Sequence, residues 1–162
     1  MSQLRIRQRD ESDRDEVESF LAQRNALNVA RLGRLERALD HPALVAERDS
    51  ALAGVLTFVL GDSDCEILTL HAGERFGGTG TALIEAVEGL ATRAGCNRLW
   101  VITTNDNVDA LRFYQRRGFR LSALHRGAVD TSRADLKPEI PPIGDHGIDL
   151  HDELELDKVP GG

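Results

Sequence analysis

The chain has 162 residues, 41% hydrophobic and 29% charged, the size and make-up of one soluble domain with a core of its own and little room for a second folding unit. Aromatics reach only 4%, so that core must be built mainly from Leu, Val, Ile and Ala. The formal charge of −7 argues against a nucleic-acid backbone or an anionic membrane surface as the main partner, and suits a cationic ligand better.

The alternation in residues 3–8 predicts a strand, with Leu4 and Ile6 on one side and Arg5 and Arg7 on the other. This N-terminal stretch has no apolar h-region, so a signal peptide is not expected. Ser12 and Asp13 offer caps for a helix carrying Val17, Phe20, Leu21 and Leu27. Leu32, Leu35 and Leu39, spaced three and four apart, predict further helix over about 28–39, stopped by His41-Pro42. Leu44-Val45-Ala46, a turn at Asp49-Ser50 and a return over Leu52 to Leu60 predict a β-hairpin. The apolar run that begins at Ala51 is too short for a bilayer, which needs about 20 residues, so the expected address is cytoplasmic. Cys65 to Leu70 is the next predicted strand.

A glycine-rich loop over 73–80 opens a long amphipathic helix with Leu83, Ile84, Val87, Leu90 and Ala91 on one face, stopped at Gly95. Leu99 to Ile102 is a short buried strand. Asn105-Asp106-Asn107 caps a helix over Val108 to Arg117, ended by Gly118, and Phe119 to Leu124 is another strand. Prolines at 138, 141 and 142 with Gly144 and Gly147 predict a long structured loop over 127–149, and 151–158 suits a last strand. Residues 129–162 hold nine acidic and three basic side chains, most of the net charge. Cys65 and Cys96 form no C-x-x-C pair and fit two reduced thiols; no metal-ligand spacing is present.

The strongest chemical signal is Arg75-Phe76-Gly77-Gly78-Thr79-Gly80, between a strand and a helix. Glycines there let successive N–H groups point into one concavity, and the helix that follows adds its positive end, a cradle for phosphate. No Gly-Lys-Ser/Thr follows, which excludes a Walker A loop, and the glycine spacing fits a dinucleotide fingerprint poorly. The second signal is Asn107-x-x-Ala110-x-x-x-Tyr114-x-x-x-Gly118-Phe119, with Tyr114 one turn beyond Ala110 on the same helix face.

Together the two segments resemble the GNAT superfamily of N-acetyltransferases. Arg75-x-x-Gly78-x-Gly80 matches the family's pyrophosphate loop, and Asn107 to Phe119 matches the next helix and the Gly-Phe that ends it. The specific resemblance covers about residues 64–124. It implies an α/β fold with a mixed, mostly antiparallel sheet, splayed at the strand that meets acetyl-CoA and flanked by about four helices. It implies an acetyl-CoA-dependent transfer to a primary amine, of a small molecule or a peptide, by direct attack in a ternary complex, with no metal.

Under this resemblance residues 75–81, from Arg75 and Phe76 through Gly77, Gly78, Thr79 and Gly80 to Thr81, hold the pyrophosphate. Backbone amides of Leu68 and Leu70 meet the pantetheine arm, and Asn107 orients the donor. Glu66, on the strand face expected to carry Leu68 and Leu70, takes the amine proton; Asp64 and His71 are the alternatives. Tyr114 serves the departing thiolate. A tyrosine near 10 and a thiol near 8.5 make full transfer uphill by roughly 2 kcal/mol in water, so a donated hydrogen bond is the expected role. The hairpin end, the first helices and the 127–149 loop are expected to wall the acceptor site. The competing expectation is a non-catalytic module that binds CoA as a sensor or structural ligand; the acceptor's identity and a homodimer stay open.

Overall fold

The computed structural model describes residues 3–73 and 77–161, and these form an α/β fold in two compact units. Among the described residues there are nine strands and four α-helices.

The first unit holds β1 (Leu4–Gln8), α1 (Arg14–Ala22), β4 (Ala43–Arg48), β5 (Ala51–Leu60), β6 (Asp64–Ala72) and α2 (Thr79–Arg93). Its strands run in the order β1-β4-β5-β6, each antiparallel to its neighbour. The β4–β5 turn is Asp49-Ser50, both left-handed (φ 53° and 64°), the twist that suits a tight hairpin. Val17 and Leu21 of α1 bury against Val45 and Val55 on one sheet face. On the other face α2 lays Leu83, Ile84, Val87 and Ala91, all fully enclosed, over β4, β5 and β6. Leu83, Ile84 and Val87 each contribute about 1.5–3 kcal/mol of burial. Of the two expected caps Asp13 is the N-cap of α1, without a side-chain cap bond, whereas Ser12 lies in a preceding 3-10 turn over Glu11–Asp13 that Asp10 caps, its side chain accepting from the Ser12 N–H at 2.8 Å.

The second unit comprises residues 29–36 and 100–158. Its strands β7 (Arg98–Thr104), β9 (Glu153–Lys158) and β8 (Arg120–His125) lie in that order, β8 antiparallel to β9, with α3 (Val108–Arg116) between β7 and β8 in sequence. Two sequence expectations are corrected here. The 28–39 stretch is no helix: β2 (Asn28–Arg31) and β3 (Arg34–Arg37) form a hairpin, followed by a 3-10 turn over Ala38–Asp40. Leu32 and Leu35, which suggest a helical stripe, are 36% and 46% exposed. Leu32 (φ 50°) and Gly33 (φ 75°) are both left-handed and make a two-residue turn instead.

The expected 127–149 loop contains a helix, α4 (Ala128–Asp135), entered at left-handed Gly127. Its Arg133 gathers the proline-bearing chain behind it, donating to the carbonyls of Ile140 (2.9 Å), Pro141 (2.8 Å) and Leu150 (2.9 Å). Asp130 of the same helix accepts from Arg133 and pairs with His151.

Candidate functional site

In the first unit the site builds on β6 and the start of α2. The β5–β6 register runs Val59↔Glu66, Phe58↔Ile67, then Thr57↔Thr69 and Leu56↔Leu70. Leu68 therefore has no partner on β5; it is the extra residue of a β-bulge. The bulge resets the alternation. Residues opposite one another in an antiparallel pair share a face, so Glu66 stands with Thr69 and His71, opposite Val59, Thr57 and Val55. The expectation that Glu66 shares the face of Leu70 is corrected by that one inserted residue.

Glu66 is buried at 4% exposure, whereas Asp64 is half-buried and folds back on its turn, where a Cβ at Gly61 would lie 2.2 Å from its Oδ1. Thr57 and Thr69 share a buried hydroxyl hydrogen bond of 2.7 Å. Burial, reinforced by the Arg24 charge, holds the His71 imidazole below its ordinary pKa, so it is neutral at pH 7 and able to accept a proton. Burial pushes the neighbouring Cys65 thiol up to about 12, which leaves it inert as a nucleophile.

Past β6, Gly73 donates its N–H to Ala53 O at 2.7 Å. Arg75 and Phe76 lie outside the described residues. Gly77 O accepts from Arg48 Nη2 at 2.9 Å, a tie from the end of β4 that the sequence gives no means of seeing. Gly78 is left-handed (φ 76°) and serves as the N-cap of α2, with no side chain to satisfy the amides of the first turn. Thr79, Gly80 and Thr81 make that turn. Thr79 is 1% exposed, and its Oγ1 is buried without a hydrogen-bond partner. An uncapped helix start with an orphaned hydroxyl and a left-handed glycine before it suits an anion. Among the described residues a Cβ on Gly78 would meet nothing within 4 Å, so this glycine is demanded by its backbone angle.

In the second unit α3 carries the other predicted residues. Asn107 alone is its cap, Oδ1 accepting the Ala110 N–H at 3.1 Å. Asn105 and Asp106, expected to share that role, instead pin the chain ahead of β9. Asn105 Nδ2 donates to Asp149 O (2.8 Å), and its Oδ1 accepts from the N–H groups of His151 and Asp152 (3.0 Å each). Buried Asp106 accepts from Thr104 Oγ1 (2.5 Å) and from the Asp145 N–H (2.9 Å). Tyr114 is 6% exposed, edge-on to Phe113 and Phe119 with ring centroids 5.3 Å away in each case. Burial raises its pKa, which keeps the hydroxyl protonated, and that hydroxyl bonds to no described residue. Its O–H is thus a donor held in reserve.

Among the described residues no group of three or more His, Cys, Asp or Glu could hold a metal ion, and no helix is long and apolar enough to cross a membrane.

Residues 4–119 match the model of the Acetyltransferase (GNAT) family. The chain is 43% identical over 121 residues to the uncharacterized protein YdhI of Bacillus subtilis, covering 75% of this chain and 74% of that one. Its fold is similar to a Bacillus subtilis acetyltransferase solved in complex with CoA (TM-score 0.70, 19% identity, 97% of this chain and 99% of that one). It is similar also to a GNAT family acetyltransferase of Elizabethkingia anophelis with acetyl-CoA bound (TM-score 0.69, 17% identity, 96% and 97%).

Proposed function

Because this chain belongs to the GNAT family of acetyltransferases, we propose that it binds acetyl-CoA and transfers the acetyl group to a primary amine by direct attack in a ternary complex. The observation that carries the reading is the start of α2: a left-handed Gly78, a first turn without a side-chain cap, and the unpaired Thr79 hydroxyl. Two solved proteins of similar fold hold CoA or acetyl-CoA, which supports the same ligand here.

The donor supplies an activated acetyl group; the chain supplies position and proton handling. The first-turn amides of α2 and Thr79 take the pyrophosphate. The bulge at Leu68 interrupts regular pairing, and we assign the backbone amides of Leu68 and Leu70 to the pantetheine arm, one of them polarising the thioester carbonyl. Asn107 helps to orient the donor. An ammonium must lose a proton before it attacks, because its pKa is about 10. Glu66 is the proposed acceptor of that proton; it is a buried carboxylate on one face with Thr69 and His71, and His71, neutral at pH 7, is its alternative. Asp64, turned back over Gly61, is the weaker candidate. Tyr114 donates a hydrogen bond to the departing thiolate.

The test is release of CoA from acetyl-CoA across a panel of primary amines, with calorimetric titration of acetyl-CoA alongside. Glu66→Gln should lower kcat by about 10²–10⁴ and change the basic rise of the pH–rate profile. If Glu66→Gln retains both rate and profile while His71→Gln loses them, the histidine is the base. Tight acetyl-CoA binding with no CoA release from any amine would leave the non-catalytic module.

A further inference from the structure

Arg24 follows the last turn of α1 in the first unit, its backbone N–H donating to Leu21 O at 3.1 Å. No step proposed above uses it. Its guanidinium stacks on the Phe20 ring, Cζ 3.6 Å from the centroid, and Nη1 donates to Phe20 O at 2.9 Å. That bond occupies one donor of a group that carries several. Among the described residues no carboxylate pairs with Arg24, whereas Arg7 of the same unit is held by both Asp13 and Glu47. In a chain of formal charge −7 such a guanidinium is a local exception that favours an anionic group.

The head of Arg24 reaches the end of β6: a Cβ built on Gly73 would lie 3.8 Å from its Nη2. Ala72 and Gly73 are exposed, and Arg24 and His71 are half-buried, so this end of the strand opens to solvent. His71 stands opposite Val55, which packs with Val17 and Leu21, and so lies on the sheet face that α1 covers. Burial first, and then the Arg24 charge, disfavour the protonated imidazole. The neutral ring keeps one N–H to donate, and it bonds to no described residue. A guanidinium and a neutral N–H donor thus occupy one open end of the face that also carries Glu66 and Thr69. The start of α2, assigned above to the pyrophosphate, lies on the other face, where Gly54 and its partner Ala72 sit under Thr79. An anion met by Arg24 therefore belongs to the acceptor rather than to the donor.

We propose that Arg24 is a specificity-determining residue that receives a carboxylate of the acceptor, with the His71 N–H as a second donor, so that the acceptor carries both an amine and a carboxylate. This rests on the reading of the protein as an amine acetyltransferase. A carboxylate meets the planar guanidinium in two parallel bonds, and the stack on Phe20 holds that fork in one orientation before the acceptor arrives. From Glu66 to His71 the strand advances roughly 13 Å, at about 3.3 Å per residue with the bulge residue left out. An amine that gives its proton to Glu66 is therefore several carbons removed from the carboxylate.

The test uses the full chain labelled with ¹⁵N, with and without CoA, titrated with γ-aminobutyrate and ε-aminocaproate, each against its own primary amide. The expected result is a saturable shift of the Gly73 amide and the His71 ring nitrogens with at least one acid, and binding about ten-fold or more weaker for the matching amide. Arg24→Gln should erase that preference, and Arg24→Lys, which keeps the charge but not the fork, should retain part of it. In turnover Arg24→Gln should raise the KM of the acid by about ten-fold and leave the KM of the amide and the acetyl-CoA Kd within about two-fold. A Gly73 amide that neither acid moves, or a preference for the acid that survives in Arg24→Gln, overturns the proposal. A preference lost equally in Arg24→Lys and Arg24→Gln assigns the effect to the stack on Phe20 and overturns it too. An acetyl-CoA Kd that rises as much as the acid KM gives Arg24 to a donor phosphate, with the same consequence. CoA release at equal kcat/KM from acid and amide sinks this site alone. Acid binding that depends on Arg24, with no CoA release from any amine, supports the site and sinks the acetylation reading.

Discussion

Gly54 of β5 sits directly under Thr79, the first residue of α2: a Cβ built on Gly54 would lie 2.8 Å from Thr79 Cγ2 and 3.0 Å from His71 O. The missing side chain lets the helix start come down onto the sheet, and it sets the height of the first-turn amides over β5 and β6. A glycine inside a strand here marks a close approach rather than a flexible point.

Gly54→Ala should therefore lift or tilt the start of α2. We expect a loss of about 1–3 kcal/mol in stability, typical of overpacking, and a rise in the acetyl-CoA Kd larger than the rise in the amine KM. Urea unfolding and calorimetric titration measure the two effects. Full stability with unchanged donor affinity would show that the contact relaxes without consequence for the α2 terminus.

Asp106 and Gly144 form a second close pair: a Cβ on Gly144 would fall 2.1 Å from Asp106 Oδ2, the oxygen that accepts the Asp145 N–H. Asp106→Ala removes that anchor and orphans the Asp145 amide, at an expected cost of about 1–3 kcal/mol. If the segment after α4 walls the acceptor, the amine KM should rise several-fold while the acetyl-CoA KM stays near wild type. Hydrogen exchange at Asp145 reports the loss of the anchor independently of turnover. Equal change in both KM values would remove the segment from the acceptor site.

Much of this architecture is legible in the residues, and the failures have definite causes. The β4–β5 hairpin, α2 and α3 follow from alternation, the 3.6-residue period and terminal glycines, all of them local signals. The 28–37 hairpin is missed because three leucines at helical spacing outweigh one glycine. Two of those leucines face solvent, and the decisive fact is the left-handed Leu32-Gly33 turn. Helix α4 is masked by the prolines that follow it, although Ala128–Asp135 itself contains no breaker. Among the candidate residues, Glu66, Gly78 and Tyr114 stand out in sequence because each belongs to a spaced motif or to the strand beside one. The bulge at Leu68 has no compositional mark, yet it changes which side chains accompany Glu66. Arg48, Gly54, Asp106 and Glu153 act through partners 25 to 121 residues away, a separation that no local pattern encodes.

The Arg7–Asp13 pair gives a pH dependence with a definite sign. Arg7 Nη1 and Nη2 reach the Asp13 carboxylate at 2.7 and 2.8 Å, and this pairing, helped by the Asp10 N–H, lowers the Asp13 pKa to about 2. The folded value lies below the unfolded one of about 3.9, so the stabilisation is complete above that value and is lost as pH falls from about 4 towards 2. Because Arg7 is 29% exposed, we expect about 1–2 kcal/mol rather than the full amount that linkage would allow. Urea unfolding of wild type and Asp13→Asn should differ by this amount at pH 7 and converge near pH 2. A difference that persists unchanged at pH 2 would assign the effect to packing.

Tyr114 separates an enzyme from a binding module. Its ring is gripped edge-on by Phe113 and Phe119, while its hydroxyl makes no hydrogen bond to a described residue. Packing therefore resides in the ring and any chemistry in the O–H. Tyr114→Phe should leave the melting temperature within a degree or two, because no hydrogen bond within the fold is lost. If the O–H meets a developing thiolate, its donation strengthens in the transition state relative to the bound donor, and the loss appears in kcat rather than in affinity. We expect kcat to fall by about 10²–10⁴ while acetyl-CoA affinity changes by no more than a few-fold. The raised pKa of Tyr114 makes it a poor acid in the ground state, so the rate should show no break from tyrosine ionisation up to at least pH 10. An unchanged kcat in Tyr114→Phe would make Tyr114 a core aromatic and leave the thiolate to water or to backbone donors.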